Sequence, residues 1–198
     1  MPTIDAVLSF WFGELTDGFA DDEHRGRWFD SSPDFDAAIR TEFGDLIQQA
    51  TTGQLDAWLG APEGCLAYIV VTDQFPRNVF RGQREAFATD PLALDAARDG
   101  IRLGYDRELA WDERAFFYLP FEHSEDLIDQ HTSVGLFTQL RDETPAGRRH
   151  LTGNTLRYAH QHRDIVARFG RFPHRNPVLG RESSAEELAF AEGGAFGQ

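Results

Sequence analysis

Two short strings hold most of the side chains in this 198-residue chain that could do chemistry. In "DQFPRN", Asp73, Gln74, Arg77 and Asn78 surround a Phe-Pro step, and in "RFPHRN", Arg171, His174, Arg175 and Asn176 surround another. A guanidinium offers a planar fork for a carboxylate or phosphate, an asparagine amide can satisfy main-chain groups, and a histidine can carry a proton near neutral pH. Proline lacks the amide hydrogen and biases the residue before it out of helical geometry. The sequence therefore predicts two helices that stop at Phe-Pro, each followed by a fixed turn that aims an arginine and an asparagine at something acidic.

The acidic counterpart is expected in residues 121–140, "FEHSEDLIDQHTSVGLFTQL". Taken as one helix at about 100° per residue, that segment places His123, Asp126 and Gln130 on the face of Leu127, Val134 and Phe137, with Glu122, Glu125 and Asp129 turned to solvent. A buried polar group left unpaired costs on the order of 1–3 kcal/mol, so something must meet the first face.

Two readings follow. In one, Asp73, Arg77, Asp126, Arg171 and Arg175 form a buried ion-pair network that fixes helix packing. In the other they wall a pocket for a small anionic or zwitterionic ligand, with His123 or His174 as its titratable element. No complete catalytic constellation is present, so the leading expectation is a non-catalytic binding or interaction module that accepts a small anionic ligand or a peptide carboxylate. The alternative is a hydrolase-type enzyme with His123 as acid or base oriented by Asp126, Arg77 or Arg175 anchoring the substrate, and water attacking.

Composition excludes several chemistries. All 19 basic residues are arginine, so there is no lysine for a Schiff base or a Walker-type phosphate loop. The single cysteine, Cys65, forbids an internal disulfide and cysteine-rich metal sites, and in "GCLAYIVV" it reads as a small apolar residue. No metal or cofactor is expected: His123 and Asp126 lack a further ligand at paired spacing, and His160 and His162 point to different helix faces, His162 reading as a core histidine. A net charge of −14 disfavours nucleic acid and anionic membranes as partners. The N-terminal string "MPTIDAVLSFWFGE" carries acids where a signal peptide needs Lys or Arg, and no run approaches the roughly 20 apolar residues of a membrane span, so a cytoplasmic location is expected. The partner is expected to be a protein or a small anion.

The elements that must position these groups read as helices throughout. Ser32 caps a helix with Pro33 at its first position and Gly53 beyond its end. Residues 63–75 are apolar almost all round, which suits a buried central helix, although Ile69, Val70 and Val71 leave a strand as the alternative. "TDPLALDAARDGIRLG" starts at Asp90–Pro91 and stops at Gly104. Asp112 is expected to cap a short aromatic helix that Pro120 ends or kinks. A long helix from Ala146 to Gly170 presents Leu151, Tyr158, Ile165 and Phe169, and a last one opens on the capping box Ser183–Glu186. The four tryptophans, Trp11, Trp28, Trp58 and Trp111, lack interleaved basic residues and read as packing. The expected fold class is all-α, antiparallel helix pairs in one domain over 1–198, with 193–198 a frayed tail.

The ordered strings "VLSFWFGE", "DQFPRNVFRG", "AFATDPLALDAA", "FFYLPFEHSEDLIDQ" and "RFGRFPHRNPVLGR" closely resemble the bacterial family called domain of unknown function 924. The resemblance spans nearly the whole chain. It implies a tetratricopeptide-like right-handed array of stacked helix pairs and assigns no activity. No repeat of roughly 34 residues is visible, so any repeat symmetry is expected in structure alone.

Overall fold

The computed structural model describes residues 2–29 and 32–193. In chain order the helices are α1 (Ile4–Phe12), α2 (Asp22–Phe29), α3 (Pro33–Thr51), α4 (Pro62–Ile69), α5 (Phe75–Val79), α6 (Asp90–Leu103), α7 (Trp111–His123), α8 (Leu127–Glu143), α9 (Arg149–Phe169), α10 (Asn176–Leu179) and α11 (Ala185–Glu192). The fold is all-α: there is no strand among the described residues, and one isolated bridge pairs Thr16 with Phe19. None of the described helices is long and apolar enough to cross a membrane. The expected frayed tail lies outside the described residues, apart from Gly193.

Local signals set most helix ends. The Ser32 hydroxyl accepts the Phe35 amide at the start of α3, and Gly53 takes φ +74° beyond its end. Gly104, at φ +82°, ends α6 in the left-handed region that glycine enters at no steric cost. Two expected caps are displaced. The box on α11 is Ser184 with Glu187, one residue later than expected, because the Ser183 hydroxyl accepts the Asn176 amide instead. Ala110, not Asp112, precedes α7, with Glu113 returning to the Ala110 amide. Asp112 lies inside that helix, where it accepts the Ala20 amide and pairs with Arg25, tying the N-terminal segment to α7.

Of the three prolines expected to end or kink a helix, Pro76 and Pro120 are passed. The chain runs from α4 through a π-helical turn, Val70–Gln74, directly into α5, so Cys65–Val71 is helix, and Pro76 falls in the first turn of α5, where a missing amide hydrogen is tolerated. Pro120 sits inside α7, which continues to His123. Burial explains the tolerance: every residue from Ala115 to Glu122 is buried, and packing on that scale offsets the roughly 3 kcal/mol a proline costs an isolated helix.

The core runs continuously from Val7 to Ala159, with α4 at its centre, packed by α1, α6 and α7. Gly64 allows close approach, since a Cβ there would lie 2.2 Å from the Trp58 carbonyl oxygen. Trp11 and Trp28 are buried in this core, and Trp58 and Trp111 pack against it, as the packing reading expects. Helices α7, α8 and α9 pack consecutively along the chain. On α9 the buried residues are Thr152, Leu156, Ala159, Ile165 and Val166, whereas Tyr158 is exposed. The apolar face is therefore rotated from the expected one, because Leu156 and Ala159 rather than Leu151 and Tyr158 face the core. A smaller cluster of Ile165, Val166 and Phe172, with Phe169 and Phe190, closes the C-terminal end.

Candidate functional site

The wide turn is what places Asp73. In Val70–Gln74 the Phe75 amide donates to the Val70 carbonyl five residues back, which inserts one residue relative to an α-helix. The Thr72 carbonyl accepts the buried Thr89 hydroxyl at 2.6 Å, so the irregular backbone has a partner at the start of α6. Asp73 is fully buried at 0% exposure, and three groups converge on it. His123 Nδ1 lies 2.7 and 2.9 Å from its two oxygens, Arg77 Nη2 donates from 3.2 Å, and the Gln74 amide donates to Oδ2. Burial alone would raise this carboxyl, but the Arg77 charge, His123 and the Gln74 amide bring it below its ordinary range.

His123 occupies the last position of α7 and is half-buried. With Nδ1 held by Asp73, its proton sits on that nitrogen in the neutral ring, and Nε2 carries the lone pair. Burial, then the Arg77 charge, keep the imidazole below its ordinary range in spite of Asp73. Beside it, Glu122 is buried, and its Oε2 has no partner among the described residues. Its Oε1 lies 3.2 Å from His162 Nδ1, which also meets the Tyr158 carbonyl at 2.9 Å. Burial and the Asp73 charge push Glu122 up to about 8, while burial takes His162 down to about 3, so both are neutral near pH 7. The His123 and His162 ring centres are 6.4 Å apart.

The second Phe-Pro string arrives from the other side. Gly170, at φ +67°, ends α9, Phe172 is extended, and Pro173–Arg175 form a single tight turn leading into α10. Proline here starts a turn, and the stop belongs to the glycine. Glu125 holds the loop: it accepts the Phe172 amide at 2.8 Å and both Arg181 amino groups at 2.7 and 3.0 Å. Arg175 is thereby placed 4.6 Å from the ring centres of both Phe87 and Phe172, with only 7% of its surface exposed. Its ion partner is Asp90, at 3.5 Å. That carboxylate also takes Arg77 at 2.9 Å, so the two strings meet on one acid. The buried Nε of Arg175 has no partner among the described residues. Burial and the neighbouring Arg77 charge lower this guanidinium to about 10, the mark of a cation with too little compensation.

Several expected members are elsewhere. Residues 121–140 are not one helix: Ser124 is extended, and Asp126 is an exposed cap whose carboxylate accepts the Ile128 amide, so it neither orients His123 nor pairs with Arg175. The break resets the helix register, which is why Glu122 and Asp129 are buried and Glu125 half-buried rather than solvated; Asp129 accepts Ser124 Oγ at 2.7 Å and Arg98 at 2.7 and 2.9 Å. Gln130 is buried as expected, yet its amide donates to the Glu122 and Ser124 carbonyls at 2.6 and 2.7 Å, closing the end of α7. Asn78 donates to Asp36 on α3. Arg171 pairs with Glu187, and Asn176 reaches Ser183 and Glu187, fastening α11 instead of joining the cluster. His174 is exposed, its ring 5.6 Å from that of Phe172.

The cluster the structure brings together is thus Asp73, Gln74, Arg77, His123 and Arg175 from the expected set, joined by Asp90, Glu122, His162 and Phe87. No group of three or more His, Cys, Asp or Glu residues with metal-holding geometry occurs among the described residues. A surface cavity of about 290 Å³, lined by Arg84, Glu85, Phe87, Ala88 and Leu179, touches the cluster at Phe87 and is not lined by its charged members. A ligand would meet the cluster at its outer edge, where Arg77 and His123 retain some exposure.

A family model described as "Bacterial protein of unknown function (DUF924)" matches residues 7–195. The chain is similar to the solved structure of a protein of unknown function, ATU0120, from Agrobacterium tumefaciens, with 39% sequence identity and a TM-score of 0.82, the match covering 96% of this chain and 97% of that one. No curated protein matches.

Proposed function

Given that the chain belongs to the DUF924 family, whose description assigns no activity, we propose from the cluster itself that it is a binding protein for a small carboxylate or phosphate, recognised by Arg175 and Arg77. The observation that carries this reading is Arg175: a buried guanidinium with one long ion pair to a shared acid, an unpartnered Nε, and two phenylalanine rings that hold its plane in place. A charge taken out of water costs several kcal/mol unless it is paired and hydrogen-bonded, and an incoming oxyanion supplies both terms. The consecutive packing of α7, α8 and α9 supports a tetratricopeptide-like array as the scaffold, and the −14 net charge favours a small anion over nucleic acid. We place this protein in the cytoplasm.

The test is thermal melting in phosphate, citrate and amino acids against sodium chloride at matched ionic strength. At least one anion should raise Tm, by about 2.7 kcal/mol of stabilisation at a hundredfold excess over Kd, and Arg175→Ala should abolish the rise. Indistinguishable melts across the panel would refute it.

A second reading is favoured by the Asp73–His123 pair, a buried carboxylate fixing the tautomer of a partly accessible imidazole, as in an oriented general base. In that enzyme His123 takes a proton from water, Arg77 and Arg175 hold the anionic substrate, and Asp73 replaces the expected Asp126 as the orienting group. No Ser, Thr or Cys side chain is hydrogen-bonded to His123 among the described residues, so the nucleophile is water. Turnover of phosphate or carboxylate esters that is lost in His123→Gln would select this reading over simple binding.

A further inference from the structure

We propose that the cleft between α4, α6 and the turn Asp56–Gly60 is a second binding site, which takes an organic ammonium ion with a short apolar body. The cleft is a cavity of about 350 Å³, at the small end of the range for ligand pockets. Its apolar surface comes from Leu59, Leu92, Ala96 and Leu103, and Leu103 is one of the few large apolar side chains the fold leaves exposed. Gly100 brings α6 close to α4 along the floor, since a Cβ there would meet the Phe117 ring at 2.4 Å and Cys65 Sγ at 3.2 Å.

The rim is acidic and incompletely neutralised. Asp56, Asp95 and Asp99 line it against Arg102. Arg102 meets Asp99 at 3.2 Å, whereas Arg98 gives Nη2 to both oxygens of Asp129 and reaches Asp95 with Nη1 in one contact of 3.4 Å; Asp56 has no ion pair among the described residues. An acidic helix face alone is a solvated face, but the floor adds an independent sign. Tyr68 lines the cavity with 3% of its surface exposed, and its hydroxyl makes no hydrogen bond to any described residue. The hydroxyl oxygen is not among the atoms sealed from solvent without a partner, so it opens onto the cleft. There an occupant can take the place of water on it, while the phenol ring and the rim carboxylates suit a cation and repel an anion. Burial and the Asp56 charge keep the phenol protonated, and burial pushes the Cys65 thiol up to about 12, so the floor binds and does not react.

The experiment is a titration of the full chain with 2-phenylethylammonium chloride, followed by amide chemical shifts, alongside 3-phenylpropionate and sodium chloride at equal ionic strength. Saturable shifts at Tyr68, Asp99 and Leu103 are expected for the amine and not for the acid. Tyr68→Phe, which keeps the ring and so the packing, should weaken the amine about two- to tenfold. The pair Asp56→Asn with Asp99→Asn should weaken it by about three- to tenfold and remove the salt dependence. Absent or unsaturable shifts, equal binding of the carboxylate, or affinity unmoved by both the phenylalanine and the asparagine variants would each overturn the site.

Discussion

Replacing each arginine of the cluster by methionine, which keeps the apolar stem and removes the charge, should give opposite results. At an effective dielectric of about 20, ion pairs at 3.2 Å and 3.5 Å differ in gross Coulomb energy by only about a tenth, near 5 kcal/mol each, so distance does not separate the two residues. Partner count does. Arg77 donates to Asp73, Asp90 and the Ala86 carbonyl, and Asp73 is fully buried, so Arg77→Met removes the charge that compensates this carboxylate, leaves it only the His123 and Gln74 hydrogen bonds, and should cost roughly 3–5 kcal/mol. Arg175 has one long ion pair to an acid that keeps Arg77 when Arg175 is gone. Arg175→Met loses that pair and up to about 2 kcal/mol of stacking on two rings, and it relieves the desolvation of a buried cation, so the net should lie within about 1 kcal/mol of zero. In melts followed by circular dichroism without added anion, Arg77→Met should lower Tm by roughly 6–20 °C and Arg175→Met should hardly move it. A second readout is the His123 titration, which should rise in Arg77→Met because the Arg77 charge helps to hold it down. Equal, large losses from both variants would make Arg175 a structural member of the network and refute the under-compensated cation on which the binding reading rests.

Stability should fall as pH rises from about 6.5 to 8: folded Glu122 keeps a proton up to about 8 that the unfolded chain releases near its ordinary 4.5, giving a slope of up to about 1.4 kcal/mol per pH unit. Below about 6.5 His162, depressed to about 3, acts in the opposite sense, because the unfolded chain then binds the extra proton, and from about 4.5 to 6.5 the two slopes oppose each other; Glu122→Gln should therefore flatten the alkaline limb in urea titrations and steepen the rise between about 4.5 and 6.5, and an unchanged alkaline slope would count against the buried neutral acid. Gly64→Ala drives a Cβ to 2.2 Å from a main-chain oxygen that no rotamer change can move, so it should cost at least the roughly 1–3 kcal/mol of ordinary overpacking, and a wild-type melting curve would contradict that packing.

What was legible in the sequence was what depends on near neighbours. Ser32, Pro33 and Gly53, or Gly104 after α6, announce helix ends because capping is settled within a few residues. The cluster depends on separations that no period encodes: Asp73 and His123 are 50 residues apart, and Arg175 and Asp90 are 85 apart. The extended Ser124 carries no glycine or proline to mark the break, and assuming an unbroken helix moved Asp126 into the cluster and Glu122 and Asp129 out of it. One signal was available. "FFYLPFEH" is apolar almost all round, so a glutamate within it has no polar face to turn to and must be buried. Asp90 was visible only as a helix-start residue, because a carboxylate shared by two distant arginines leaves no local mark.

The π-helical turn has an evolutionary corollary. It holds one residue more than an α-helix needs, and its wider winding absorbs that surplus, so the helix beyond it keeps its face while the residues inside the turn, Asp73 among them, take positions an α-helix would not give them. Loss of a single codon from Val70–Thr72 would restore ordinary α-helical winding with Arg77 still in phase and re-aim Asp73 relative to His123 while leaving the helix unbroken. Descendants of this chain can thus lose the cluster and keep the scaffold in one genetic step, and the inverse insertion is a route by which an ordinary buried helix acquires such a cluster.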